Sequence, residues 1–174
     1  MRRPPMSRRQ ALLVTRETPP MSLRIWAPCG VRRDSLLPLN LTVEWAGRVG
    51  HPSSYGLLTG RLSARASIGA PGAGAAYPDS LASDADDVRW GLPVGYRPAV
   101  AEAIAGLAQP LRITDAAHGL VGSSPHVFRV LTGLLSGLLA VGVPIDDDDL
   151  WRLFDAAARD ADRTRSRPTG TARA

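Results

Sequence analysis

Lysine is missing altogether from this 174-residue chain, and cysteine occurs once, at Cys29. Without lysine no G-x-x-x-x-G-K-[ST] phosphate loop can form, which excludes the commonest nucleotide-hydrolysing motor. A lone cysteine excludes an internal disulfide and a cysteine-based zinc site, so a reducing cytoplasm is the expected compartment. Aromatic residues make up only 5% of the chain, so core volume has to come from leucine, valine and alanine. No apolar run approaches the ~18 residues of a membrane span, because Gly133, Ser136 and Gly137 interrupt the most hydrophobic stretch. The arginine-rich start also lacks the apolar segment of a secretory signal.

What is present begins with charge. All 21 cations are arginine and the net charge is +5, a usage that fits a GC-rich bacterial genome. The excess lies at the front. Residues 1–36 carry eight arginines against Glu17 and Asp34, residues 37–145 are balanced, and residues 146–174 are slightly acidic. The body is therefore neutral, whereas a phosphate-binding footprint needs cations gathered on one face of the fold.

Residues 1–22 hold proline and arginine pairs without periodicity and are expected to be a disordered basic tail. Residues 23–162 read as a single α+β domain, and the arginine, serine and proline of 163–174 as a second disordered tail. Within the domain, Leu39, Leu41, Val43 and Trp45 alternate with Asn40, Thr42 and Glu44, the pattern of a half-buried strand. Leu62, Ala64, Ala66 and Ile68 repeat it over 61–68, with Gly47, Gly50, Pro52 and Gly56 turning the chain between them. A short strand is expected near Val88–Trp90, a helix over 99–107 after Pro98, and a strand at Leu111–Thr114. A long helix should start at Pro125 with Ser124 as its N-cap and end near Val141. A last helix should start in Asp147–Asp149, whose carboxylates oppose the helix macrodipole. Helices gathered on one face of a small sheet give an α+β two-layer sandwich with an extra C-terminal helix.

Three segments, in order, resemble a known family. Gly91-Leu92-Pro93-Val94-Gly95-Tyr96-Arg97-Pro98-Ala99-Val100 is similar to the G-x-P-x-x-Y-x-x-A-V stretch before the first helix of domain IV of elongation factor G and of tetracycline-type ribosomal protection proteins. Val121-Gly122-Ser123-Ser124-Pro125-His126-Val127-Phe128 is similar to the V-D-S-S-E-x-A-F segment that opens the second helix there. Pro71-Gly72-Ala73-Gly74-Ala75-Ala76-Tyr77 resembles the P-x-G-x-G segment leaving a strand. The resemblance covers about residues 60–142 and implies the ribosomal protein S5 domain 2-like fold. It also implies a stand-alone, non-catalytic, ribosome-associated or vestigial domain that needs no cofactor or metal and contacts the ribosome or rRNA. Its working part would be the loop Asp115–Ser124 with His118 at the tip, Ser123 and Ser124 setting the departure of the second helix, and Arg112 and Arg129 meeting phosphates. Gly122 and Pro125 stand where the family carries acids.

Two other readings rest on the residues themselves. The apolar stripe Leu150, Trp151, Leu153, Phe154, Ala157 and Ala158 could join two copies or bind a partner protein. Asp115, His118 and His126 could serve a small metal-dependent hydrolase, although structural zinc usually takes four ligands. Ser123 and Ser124 beside them are the residue types of a nucleophile, yet helix capping uses the same types. Gly69–Ala76 is loop punctuation rather than a phosphate cradle, because no helix N-terminus follows it.

Overall fold

The computed structural model describes residues 9–28, 40–47, 54–72, 74–82, 86–142 and 145–165. The expected tail segments 1–8 and 166–174, together with Cys29, lie outside the described residues.

Seven strands and three helices follow in the order β1 (Arg9–Arg16), β2 (Met21–Pro28), β3 (Leu41–Gly47), β4 (Ser54–Leu62), β5 (Ser67–Ile68), β6 (Val88–Trp90), α1 (Arg97–Ala105), β7 (Leu111–Gly119), α2 (Pro125–Val141) and α3 (Asp147–Arg165). The strands form one mixed, open sheet in the order β1-β2-β3-β4-β7-β5, with β6 also pairing to β7. All pairs are antiparallel except β5 with β7, which are parallel. The chain is thus an α+β protein whose sheet packs against three helices.

The strand expected over 39–45 is found two residues later as β3, and Leu39 lies outside the described residues. The second falls earlier than the alternation suggests, at Ser54–Leu62, so that of the anticipated 61–68 only Arg61 and Leu62, at the end of that strand, and Ser67–Ile68 are extended. Of the tail expected to be disordered, residues 9–22 instead belong to a hairpin. Arg9–Arg16 and Met21–Pro28 form a hairpin with eight consecutive partners, and β2 continues onto β3. Its order comes from a buried stripe, Val14, Met21, Leu23 and Ile25, which the surrounding arginines and prolines hide from a composition argument.

One core lies between sheet and helices. Val43, Trp45, Leu58, Ile113 and Ala116 meet Val100 and Ile104 of α1, Phe128, Leu131, Leu134 and Leu135 of α2, and Leu150 and Phe154 of α3. The helix α2 begins where the sequence indicates: Ser124 is extended, its side chain accepts from the Val127 N–H, and Pro125 follows. The other face of the sheet is covered as well. The chain between β5 and β6 folds over Trp26, Tyr55, Leu57 and Ala117 and seals them with Tyr77 and Val88. No helix among the described residues is long and apolar enough to cross a membrane.

Candidate functional site

The rim expected to carry function is a locked structural joint. Strand β7 does not stop at Thr114 but runs on to Gly119, because β6 pairs along it with Val88 opposite Gly119 and Arg89 opposite His118. His118 is therefore a strand residue, only 4% exposed, and its Nδ1 lies 3.0 Å from the Gly91 carbonyl. A carbonyl only accepts, so Nδ1 carries the proton. This corrects the expectation of an exposed histidine at a loop tip.

The turn that follows has its donors engaged. The Asp86 carboxylate accepts from the Val121 and Gly122 N–H groups, each at 2.9 Å, and the Leu120 N–H donates to the Asp87 carbonyl. The Ser123 hydroxyl donates to the Tyr55 carbonyl at 2.7 Å and accepts from the Gly119 N–H at 2.9 Å. Such a turn holds no free N–H nest for an anion. Ser123 ties the turn to β4, and Ser124 caps α2, so neither is poised as a nucleophile.

The other expected site residues do not converge on His118. Asp115 sits at the irregularity between β4 and β7, opposite Thr59, and its Oδ1 accepts from the Ala116 N–H. Arg112 is exposed near the start of β7, six extended residues or about 20 Å from His118. Arg129 points from α2 to Glu102 of α1, at 2.8 Å. His126 lies 3.7 Å from Asp162 of α3 rather than beside Asp115. Among the described residues no three histidine, cysteine, aspartate or glutamate side chains gather as a metal site.

A polar cluster around Glu44, on the face of β3 that a half-buried strand leaves open, lies under the β5–β6 connection. Glu44 of β3 is fully buried. One carboxylate oxygen accepts from the Tyr55 hydroxyl and from the Leu81 N–H, both at 2.8 Å. The other accepts from Arg24 Nε at 2.8 Å. Arg24 also donates to the Tyr77 hydroxyl and the Asp79 carbonyl, and its guanidinium stacks over Trp26 at 4.4 Å. Burial pushes the Glu44 carboxyl above its ordinary value of 4.5, against the lowering effect of its donors. Burial and the neighbouring Glu44 push the Tyr55 phenol well above 10, and the same two causes raise Tyr77. A buried carboxyl with a shifted pKa often marks a catalytic site. Here its donors come from two strands and the overlying segment, which makes it the pin that holds that segment to the sheet. The signal available in the sequence was a glutamate alternating with buried residues, with nothing to distinguish a covered face from a wet one.

One further feature is a contrast between the two edges of the sheet. On the far side of β7, β5 and β6 each pair with part of the strand, and the Gly69 and Gly91 N–H groups donate to the Ile113 and Ala116 carbonyls. On that side the sheet therefore ends in strands of only two and three residues. At the opposite end β1 pairs only with β2, and no other strand among the described residues lies beside it.

No family model matches the chain, and no curated protein or solved structure does either.

Proposed function

We propose that this chain is a non-catalytic binding module that takes an extended segment of another protein along the free edge of β1. The observation that supports it is the asymmetry of the edges. Proteins guard exposed edge strands with proline, bulges or inward charges, because a row of unpaired N–H and C=O groups templates another strand. The edge at β7 is guarded. Strand β1 has eight residues without proline, keeps an unbroken register with β2, and leaves Leu12 and Leu13 at 36% and 56% exposed. Strand addition gains main-chain hydrogen bonds from such an edge and side-chain contacts from alternate residues. The test is amide exchange of the whole chain with a neutral peptide of alternating valine and threonine. Slowed exchange confined to residues 9–16 supports the reading, and unchanged exchange there defeats it.

A second reading keeps the S5 domain 2-like fold and a cytoplasmic role on the ribosome. In its favour, β5 and β7 are parallel neighbours with α1 between them in the chain, and α2 leaves from the capped serine. Against it, His118 is buried and the turn after it has no open donors. Sedimentation with ribosomes separates the two, since the ribosomal reading requires binding that weakens on Arg112→Ala, an exposed change that leaves the core alone.

A further inference from the structure

We propose that Arg61, Arg112 and Ser67 form a binding site for a single dianionic phosphate group, free or esterified, on the face of the sheet away from the helices. The site lies across the sheet from β1 and does not rest on the strand-addition reading. It follows from register. Arg61 of β4 stands directly opposite Arg112 of β7, and Ser67 of β5 stands opposite Arg112 on its other side. Residues paired in this way present their side chains to the same face, in a row spaced by about 5 Å. The neighbours of Arg112 along its strand, Leu111 and Ile113, are buried in the core on the helix side, so the row points the other way. The β5–β6 connection covers Tyr55 and Leu57 farther along that face, but it leaves Arg112 and Ser67 exposed and Arg61 half-buried.

Like charges directly opposite one another on neighbouring strands are destabilising, and nothing among the described residues offsets this pair. Six other described arginines each hold a carboxylate. Neither Arg61 nor Arg112 has an ion pair or a side-chain hydrogen bond to any described residue. The one acid in these three strands is Asp115, which lies three residues beyond Arg112, about 10 Å along the strand, with its Oδ1 engaged by the Ala116 N–H. Arg65, in the connection between β4 and β5, adds an exposed cation two residues before Ser67. An anion held between the two guanidiniums turns the repulsion into attraction.

The class of anion follows from the groups. A phosphate monoester carries about two negative charges at neutral pH and three acceptor oxygens, which match two guanidiniums and a hydroxyl. A carboxylate brings one charge and two oxygens. A nucleic-acid backbone needs cations repeated along a face, and the next pair on this one is Thr59 and Asp115.

The experiment titrates the full chain with phenyl phosphate, inorganic phosphate, benzoate and a homopolymeric RNA at low salt and neutral pH, reading heat of binding and amide shifts. Phenyl phosphate is expected to saturate one site and to shift the amides of Arg61, Ser67 and Arg112. Its affinity should fall as pH is lowered from about 7.5 to about 5.5, where the monoester loses its second charge while arginine keeps its own. Arg61→Gln and Arg112→Gln should each weaken binding about tenfold, the worth of one charged hydrogen-bond partner. In phosphate-free buffer each variant should melt no lower than wild type, because the repulsion is gone. Inorganic phosphate binding as tightly as phenyl phosphate supports the site with the free ion as its ligand, and tighter phenyl phosphate binding supports it with an ester. Benzoate binding as tightly as phenyl phosphate overturns the phosphate chemistry. RNA that displaces phenyl phosphate and binds more tightly overturns the proposal in favour of a nucleic-acid surface. Lost binding with a lowered melting point overturns it as well, since the arginines would then be packing the strand ends. Absence of saturable binding by either phosphate, or binding that both glutamine variants leave unchanged, overturns the site itself.

Discussion

Glu44 shows what a period-two pattern conveys and what it omits. The alternation correctly puts Thr42 and Glu44 on the face away from the helices, but both are buried there, with the Thr42 hydroxyl 2.9 Å from that of Thr59. Whether a polar face is wet depends on a covering segment contributed from elsewhere in the chain, and residues 69–87 carry no periodicity that announces one. The buried carboxyl has a consequence for pH. Its folded pKa lies above the unfolded 4.5, so below pH 4.5 both states hold the proton and the group costs nothing. As pH rises through 4.5 towards the folded value the unfolded chain ionises first, and stability falls. Wild-type protein should therefore lose stability relative to Glu44→Gln across that window in urea titrations at stepped pH. A relative gain would mean that Arg24 outweighs burial. Removing the group altogether leaves Arg24, Tyr55 and Leu81 without their acceptor, and Glu44→Ala should cost about 3 kcal/mol. His118 makes the matching point on the helix side of the sheet. Its replacement by alanine orphans the Gly91 carbonyl and opens a cavity, so a loss of about 2 kcal/mol is expected by chemical denaturation. A histidine exposed at a tip would leave the denaturation midpoint unmoved.

Among the elements, α2 was legible and β4 was not, and one contact explains both. The helix carries its own signals: an N-cap serine, proline at the first turn, an apolar face at 3.6-residue spacing, and Gly142 at φ 84° after its last turn. These are local, so they survive in the sequence. Strand β4 carries Gly56 and Gly60, which read as punctuation because glycine weakens a strand. Gly56 is in the strand because α2 lies directly on it, and Gly60 because the backbone of β7 comes close there as well. A Cβ on Gly56 would come within 2.7 Å of Leu131 Cδ1, and one on Gly60 within 2.8 Å of the Arg112 carbonyl oxygen. The obstacles at Gly56 are side-chain ends, Leu131 Cδ1 and Val127 Cγ1, whereas at Gly60 the nearest is backbone. Both alanine variants should be destabilised by about 1–3 kcal/mol, with Gly60→Ala the worse of the two in thermal melts. The reverse order would mean that the strand, not the helix, yields. The truncated reading of β7 has the same origin. Ala116, Ala117 and Gly119 have little strand propensity, and pairing with β4 at Ala116 and Ala117 and with the distant β6 from Ala117 to Gly119 is what extends the strand.

At the scale of the whole molecule, α3 decides whether the chain is one folding unit. Its stripe was readable from the sequence, and an apolar terminal helix suggests an interface between copies. The structure uses that stripe internally. Leu150 and Phe154 are buried, Phe154 packs edge-on against Trp45 at 4.9 Å, and Ala157 lies against Gly133 of α2. From the same helix Trp151 and Asp155 reach Arg16 at the end of β1. The last helix thereby braces the first strand, a long-range relation that no local pattern encodes. The ion pair contributes little to this, since Asp155 is 40% exposed and pairs so open to solvent are worth at most about 1 kcal/mol. The apolar contact is what matters. Phe154→Ala should cost about 3–5 kcal/mol, and, because β1 leans on the same helix, it should speed amide exchange in β1, β2 and α3 together while Asp155→Asn leaves exchange nearly unchanged. Exchange that quickens in α3 alone would show the N-terminal hairpin to be independently stable. In that case the docking edge could be separated from the helical layer, and the two ends of the chain would not form one cooperative unit.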